Sequence, residues 1–559
     1  MLDSQTVAGL VMALADQEGP GIITAEGTLS HTEAIASAAQ RAAWLRSQRI
    51  PGAPFHVALL LDNGLDYVSW LEAAALVGAT IVGGNPTHRG DELARDLSHT
   101  ECQVLITNRE YLGLVDGLDL GDRLGVASAD SDRVLVAGTE SASALLESFQ
   151  GASASDVVDE TITPATLGYL LFTSGTSGAP KAVQCSQGRL AMISTIVKDM
   201  FELTPQDVCY AAMPMFHSNA LMAGWGPSLA AGAAVAIPTS PRFSASNFLP
   251  DVRRFQVTYF NYVGKPLAYI LATPEKPDDA ENTLRLCFGN EAAADDVTTF
   301  AERFGCRVSE AYGSSEGGAT VQRTPDTPPN ALGRSGEGTV VIDAETGEEC
   351  PPARFDEAGK ILNADECIGE LVSKTGGASF EGYWHNDEAM ESRLRQGWYW
   401  TGDLAYRDEQ GFFYFAGRDH DWLRVDGENF ASAPVERILT RYPGVILAAV
   451  YAVPDEHVGD QVMAALEISE HAADFDPDDF ARFLAEQGDL GTKWAPRYVR
   501  ISTSLPKTAT SKVVKKSLRT ERWNSPDPTW WRSGRDLAYR PITIEERAVL
   551  DEAVANRVL

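Results

Sequence analysis

Positive charge is scarce in this chain relative to negative. Its 559 residues carry 46 Lys and Arg against 78 Asp and Glu, a formal net charge of −32. That balance excludes a protein built to grip nucleic acid, which needs a basic face to meet phosphates. It also disfavours docking on an anionic membrane by charge. Small anionic ligands stay open, because loops and helix N-termini hold them locally inside an acidic protein. Cysteine is scarce as well. The seven present are scattered, odd in number and never spaced CxxC. Neither a disulfide framework nor a zinc site is expected, and the usage fits a reducing compartment. Unbroken apolar runs of membrane-spanning character are missing too. The longest uncharged stretch lies around "HSNALMAGWGPSLAAGAAVAIP" (217–238), which is rich in Ala and Gly and interrupted by Ser218, Asn219, Pro227 and Ser228. It reads as a buried helix followed by a buried strand. The N-terminal "MLDSQTVAGLVMALADQEGPG" has no early Lys or Arg, so a helix face is expected there and not a signal peptide. There is no tandem repeat and no low-complexity tract.

Apolar residues make up 44% of the chain, enough for cores, and the length calls for two or more domains. Strand-like and helical segments alternate early: "HVALLLDN" (56–63), "LDYVSWLEAAALVGA" (65–79), "TIVGGN" (80–85), "DELARDLSH" (91–99) and "CQVLITN" (102–108). Such β-α-β spacing predicts a layered α/β domain with mostly parallel sheets. Residues 137–166, rich in Ser, Ala, Thr and Asp, read as a surface connection. Beyond about 418 the pattern changes to helix, strand, tight turn, strand, which predicts a small α+β domain behind the charged joint "GRDHDW" (417–422). The tail carries Trp530 and Trp531, then "TIEER" opens a final helix with Thr543 as its cap.

Four motifs carry candidate chemistry. "LLFTSGTSGAPKAV" (170–183) packs glycines, hydroxyls and one lysine behind an apolar run. It is not a Walker loop, since Pro180 stands where the second glycine belongs and Ala182 follows Lys181. Its backbone freedom and donors can still form an anion nest, although a flexible Gly/Ser turn is the better account of the segment taken alone. "EAYGSSEGGA" (310–319) formally fits G-x-S-x-G with Ser315 as a hydrolase nucleophile. No helix pattern follows it, so Glu316 as a hard oxygen ligand for Mg²⁺, with Tyr312 as a flat face for a base, competes with a plain turn. In "GWYWTGDLAYRDEQGFFYFAGRDHDWLRVDGEN" (397–429), Asp403 after a Thr-Gly turn can accept from ribose hydroxyls and Arg418 can pair with phosphate; a solvated hairpin is the bland alternative. "LPKTATSKVVKKSLR" (505–519) is either a basic helix face or a turn presenting Lys512 to developing phosphoryl charge.

The order of these motifs is more informative than any one of them. "TSGTSGAPK", "YGSSEG", "TGD", "GRDHDWLRVDGEN" and "PKTATSK" together resemble the motif ladder of the adenylate-forming superfamily, which holds acyl-CoA synthetases, peptide-synthetase adenylation domains and firefly-type luciferases. The resemblance spans nearly the whole chain. "VTYFNYVGKPLAYIL", "CFGNEAAADDVTTFAERFG" and "CYAAMPMFHSNAL" look like the fatty-acid-transport-protein and very-long-chain acyl-CoA synthetase branch. "VDGENFASAPVER" and "DEHVGDQVMAAL" resemble actinobacterial fatty-acid–CoA ligases, some of which act in steroid side-chain breakdown.

The resemblance implies a large N-terminal domain (1–417), a small mobile lid (418–522) and a C-terminal extension (523–559). It implies that Thr173, Ser174, Gly175, Thr176, Ser177, Gly178 and Lys181 close over the phosphates of ATP. Gly289, Asn290 and Glu291 would line the adenine side, with Tyr312 stacking on the base beside Gly313. Ser315 would contact phosphate, Glu316 hold Mg²⁺, Asp403 bind ribose and Arg418 approach ribose and phosphate. Lys512 would serve adenylation. Gly427, Glu428 and Asn429 would form the path of CoA, and His217 would stand near the acyl pocket and thiol entry. Departures from the family pattern are Ser177 and Ser315 for Thr, Ser186-Gln187 for Thr-His, Ser511 for Gly, and His420 at the hinge for Asp. The implied enzyme is a cytoplasmic, ATP-dependent fatty-acid–CoA ligase for a medium or long chain, with steroid side-chain activation or transfer to a separate carrier protein as alternatives. Peripheral membrane contact belongs to the same expectation. A serine hydrolase using Ser315 and a non-catalytic acyl-chain binder are the rivals from other classes.

Overall fold

The computed structural model describes residues 4–173, 180–357, 361–418, 422–425, 428–454, 460–469, 475–491, 493–508, 512–534 and 536–557. Two mostly parallel sheets organise the first three hundred residues. One has the order Val134–Val136, Val104–Thr107, His56–Leu60, Thr80–Gly83, Leu167–Thr173, Lys181–Ser186, with only the last pair antiparallel. The other runs Val321–Gln322, Arg307–Tyr312, Leu286–Asn290, Tyr259–Val263, Val208–Tyr210, Ala234–Ala236, Pro20–Ile23, Thr28–Ser30, antiparallel only at its two ends. Val57, Leu59, Val82, Val104 and Ile106 are wholly buried, because helices cover both faces. That is why these strands read as unbroken apolar runs and not as alternations. Helices His31–Gln48 and Leu65–Val77 lie between the sheets. Ala38, Leu45, Trp70 and Leu71 from them share one core with Val57 and Ile81 of the first sheet and Ile22 and Val235 of the second.

A third, antiparallel sheet follows, built from Thr339–Ile342, Gly369–Ser373, Trp398–Arg407 and Leu394–Arg395, with Phe413–Arg418 on the long strand. After the hairpin Trp422–Val425/Glu428–Ala431 comes a small α+β unit. Helix Ser432–Leu439 leads into the antiparallel pair Val445–Pro454 and Asp460–Ile468, and Tyr498–Ser502 joins in parallel. The tail adds Thr529–Trp531 and Arg540–Pro541 to the same sheet. Trp531 stacks on Tyr498. The final helix, Ile544–Arg557, opens with the expected cap: Glu546 N donates to Thr543 Oγ1 at 3.2 Å while Thr543 N donates to Glu546 Oε2 at 2.9 Å.

Three segments differ from the sequence reading. Residues 137–166 hold two short helices, Glu140–Glu147 and Ala154–Val157. Their Thr139 and Ser153 are N-caps, so hydroxyls in this mostly exposed surface connection also start helices. The Thr-Gly-Asp segment is not a turn but an irregularity inside one strand, Trp398–Arg407, with Gly402 at φ 71°. The buried helix in 217–238 begins as a π-helix, Ala220–Trp225, before Gly226–Ala231 and the strand Ala234–Ala236.

Candidate active site

The parallel strands Leu286–Asn290 and Arg307–Tyr312 end side by side, and their carboxyl ends start the site. Ligands in open α/β sheets bind there because the chain leaves the sheet in loops that converge. Glu291 follows the first strand with φ 70°, a left-handed conformation uncommon outside glycine. Asn290 Oδ1 is buried with no partner among the described residues. Gly289 sits against the Tyr262 ring, where a Cβ would come within 2.6 Å. Tyr262 is itself fixed through its hydroxyl, which donates to Glu310 Oε1 at 3.0 Å.

The second strand delivers Tyr312, whose hydroxyl donates to Asp403 Oδ2 at 2.6 Å. Asp403 N in turn donates to Thr401 Oγ1 at 3.0 Å. Asp403 also stands opposite Arg418 across the strand pair, so the strand irregularity aims this carboxylate at the end of the parallel sheet. Gly313 follows, with open space where a side chain would be among the described residues. Ser315 Oγ lies 2.7 Å from Ser218 Oγ, which ties the loop to the start of the π-helical segment. No helix follows Ser315, so it does not stand on a nucleophile elbow.

Glu316 is buried, and Tyr383 donates to its Oε1 at 2.9 Å. Lys181 feels this carboxylate. Burial, then the Arg393 charge, pull the lysine's pKa down, and Glu316 opposes both. Lys181 pairs in register with Thr173 across an antiparallel hairpin. The motif is therefore flanked by two antiparallel strands and not by the strand and helix of a Walker motif. Ser174, Gly175, Thr176, Ser177 and Gly178 lie outside the described residues. So do His420, Gly427 and Ser511, and the side chains of Arg418, Glu428 and Asn429.

His217 closes the opposite side. Its Nε2 is buried without a partner among the described residues, and its ring packs on Phe216 at 4.4 Å. Burial, then the nearby Lys512 and His88 charges, push its pKa down to about 4. It is a neutral imidazole at physiological pH. Lys512 Nζ reaches Glu291 Oε1 at 2.6 Å. The basic turn of the small unit is thereby seated over the end of the Leu286–Asn290 strand.

Several supporting residues carried no sequence signal. Arg189 donates to the carbonyl oxygen of Ser315 at 2.6 Å and to that of Gln184 at 3.2 Å. It also approaches Gly317, which has φ +73° and whose Cβ would lie 2.4 Å from the guanidinium; only glycine suits both demands. Tyr383 and Arg393 arrive from a separate stretch of chain. Tyr383 in "EGYWHN" was findable only as one more aromatic. The Ser186-Gln187 departure also acquires a structural meaning. Ser186 caps its helix and donates to Glu381 Oε1 at 2.6 Å, while the buried Gln187 side chain accepts from Ala8 N at 3.0 Å. These two residues anchor the end of the Lys181–Ser186 strand and the start of the following helix from both sides.

Two family models match: AMP-binding enzyme over residues 13–384, and AMP-binding enzyme C-terminal domain over 434–512. The chain belongs to the AMP-binding enzymes. Among relatives of this AMP-binding enzyme, the steroid-22-oyl-CoA synthetase of Rhodococcus jostii is 47% identical over 553 residues, covering 99% of this chain and 97% of that one. The medium/long-chain-fatty-acid–CoA ligase FadD17 of Mycobacterium marinum is 44% identical over 525 residues, 94% and 98% of the two chains. In fold, the anthranilate CoA ligase AuaEII bound to anthranoyl-AMP matches with TM-score 0.78 at 21% identity, covering 92% of this chain and 96% of that one. ATP-bound MatB from Rhodopseudomonas palustris matches with TM-score 0.76 at 24% identity, covering 93% and 99%. The chain is an AMP-forming CoA ligase whose substrates are ATP, CoA and an acid. Among the described residues, no helix is long and apolar enough to cross a membrane. All seven cysteines are buried free thiols.

Proposed function

We propose that this ligase activates a medium- or long-chain carboxylic acid, first as an acyl-adenylate and then as its CoA thioester. The observation that carries the reading is the convergence of Tyr312–Asp403, Glu316–Tyr383, Ser315 and Lys512 on one end of the parallel sheet, with the neutral His217 beside them. Asp403 accepts from the ribose hydroxyls, and Tyr312, held by Asp403, offers its ring face to adenine beside Gly289–Glu291. The loop Thr173–Lys181 and Ser315 supply donors to the phosphates. A substrate carboxylate oxygen attacks the α-phosphorus, the bond to the bridging oxygen breaks, and pyrophosphate leaves. Lys512 exchanges Glu291 for the crowded negative charge of this transition state, and positioning with electrostatics does most of the work. Glu316 fits a magnesium ion: its carboxylate is buried, oriented by Tyr383, and of the hard oxygen type such ions select. That ion, when bound, supplies positive charge against the phosphates.

In the second half-reaction the lid, divided from the large domain near 417/418, withdraws Lys512. The thiol sulfur of CoA, its proton released to solvent, then attacks the acyl carbon, and AMP leaves with the electron pair of the C–O bond. Gly427, Glu428 and Asn429 guide the pantetheine arm. A neutral His217 places no cation beside the acyl group, which suits an apolar chain running along Phe216, Leu221 and Trp225. With ATP and CoA as co-substrates, the enzyme works in the cytoplasm.

A second reading, a steroid side-chain carboxylate as substrate, is favoured by the 47% identity to the Rhodococcus synthetase over almost the whole chain. The deciding experiment is AMP release with ATP, Mg²⁺ and CoA across straight-chain fatty acids of graded length and a cholestenoate-type steroid acid. A maximum at a fatty-acid length supports the first reading, and activity confined to the steroid acid replaces it with the second. AMP release that persists without CoA, with acyl transfer to an added carrier protein, would overturn both in favour of a carrier-dependent adenylating enzyme.

A further inference from the structure

Tyr269 belongs to the large domain, on the short helix Pro266–Leu271, yet its surroundings belong to the lid. Its ring packs on the lid cluster that contains Leu447, Leu505 and Val513. Its hydroxyl receives a hydrogen bond from the Lys507 ammonium, and the nearby Glu467 carboxylate, after burial, helps to push its pKa up. The ammonium stands 4.5 Å from the centre of the tyrosine ring. Within the lid, Lys507 Nζ donates to Glu467 Oε1 at 2.9 Å, and Leu505 N donates to Glu467 Oε2 at 2.9 Å. The Glu467 side chain is only 4% exposed. A buried charge pair is costly to leave incompletely bonded, and it is the large domain's Tyr269 that adds a further bond to it.

This cluster is coupled to Lys512 through backbone. Lys507 and Val513 form a bridge, Thr508 N donates to the Lys512 carbonyl at 2.7 Å, and Lys512 N donates to Thr508 Oγ1 at 3.2 Å. Val514 N donates to the Pro506 carbonyl at 2.8 Å. The two ends of one tight turn thus carry the Tyr269 contact and the Lys512 side chain. Beside the contact the domains do not close on each other. A cavity of about 200 Å³ separates Ala268, Leu271 and Asp296 from Val445, Ile446 and Ser469. A loosely packed interface gives its few specific anchors more weight.

We propose that Tyr269, through Lys507 and Glu467, is the positioning residue that seats the lid for adenylation and sets Lys512 over the α-phosphate. The inference rests on the ligase reading above. The contacts of Tyr269 lead to the lid turn that carries Lys512, so it acts on the first half-reaction only. When the lid turns for thioester formation the contact is broken and its loss costs nothing.

The test uses the full-length enzyme. Pyrophosphate exchange reports the first half-reaction, and thioester formation from preformed acyl-AMP reports the second. Tyr269→Ala should lower kcat for exchange between about tenfold and a hundredfold, the scale of a misplaced catalytic group, with KM for ATP unchanged. Thioester formation should stay at the wild-type level, which also shows that the variant is folded. Tyr269→Phe keeps the ring and should recover part of the loss. Equal losses in both half-reactions, or no loss in exchange, overturn the proposal. Hydrogen exchange gives a readout independent of turnover. Amides of Leu505, Thr508 and Val514 should exchange faster in Tyr269→Ala, and unchanged exchange there also overturns it. If the wild-type enzyme shows no pyrophosphate exchange with any acid, the ligase reading fails by itself, and the amide experiment alone judges the latch.

Discussion

Glu72 sits in the helix between the two parallel sheets, a carboxyl in a place that favours none. It is buried, its Oε2 has no partner among the described residues, and burial pushes its pKa up to about 8 against a pull from Arg41. Between pH 4.5 and 8 the folded chain therefore keeps a proton that the unfolded chain has released. Stability falls as pH rises through that window, because the state binding more protons is favoured only at low pH. Glu72→Gln keeps the shape and is neutral at every pH. It should be near neutral at pH 5 and raise the melting temperature at pH 8.5, with a gain on the order of a few kcal/mol. Thermal melts at the two pH values check this, and a variant destabilised at both would show that the carboxyl makes a contact worth more than its burial costs. The candidate active site shows the opposite use of burial, since His217 is kept neutral by the same desolvation that keeps Glu72 protonated. At this scale the sequence told its story unevenly. Ser315, Glu316 and Asp403 stand in short motifs whose spacing suggests their chemistry. Arg189 and Tyr383 reach the same loop from elsewhere in the chain, and no local pattern links residues that meet only after folding.

Elements were legible where a single physical demand fixed them. Strands buried on both faces must be apolar throughout, so His56–Leu60 and Val104–Thr107 were plain in the sequence. Where two structures satisfy the same composition, the reading failed. The Thr-Gly pair before Asp403 suits both a turn and a strand irregularity, while hydroxyl-rich 137–166, a mostly exposed connection as expected, did not reveal the two short helices that its hydroxyls cap. The strand Leu286–Asn290 yields a prediction that depends on an element and not on one side chain. Gly289 allows this strand to lie against the wholly buried Tyr262 ring, and a methyl group there would meet three ring carbons at 2.6 Å. The ring cannot swing aside while its hydroxyl is tied to Glu310 and its face packs beside Phe260. Gly289→Ala should therefore cost about 1–3 kcal/mol of stability, as overpacked cores do, and disturb Asn290 and Glu291 one and two residues on. Urea denaturation measures the first effect and the apparent KM for ATP the second. Unchanged values of both would mean that the strand shifts freely, contrary to the packing described.

For the whole molecule, the two-part plan was visible as a change of pattern near residue 418, but the seating of the parts was not. The lid's basic turn looks like a solvated helix face in sequence. In the fold the turn carries Lys512 to Glu291 and Lys507 to Tyr269, across contacts that join residues more than two hundred positions apart. The strongly acidic balance of the chain gives this arrangement a purpose. A protein of net charge −32 repels a triphosphate at long range, so positive charge for adenylation has to be supplied locally, which is the role proposed above for Lys512. Removing that charge separates the two halves of the reaction. Lys512→Ala should lower pyrophosphate exchange by about 10²–10³-fold, the usual scale for loss of one group that stabilises transition-state charge. Thioester formation from synthetic acyl-AMP has no α-phosphate attack and should proceed within about twofold of wild type by the same argument. Single-turnover assays of the two steps make the comparison. Equal losses in both would mean that Lys512 holds the lid in place generally instead of serving the first chemical step, and would remove the basis of the Tyr269 proposal as well.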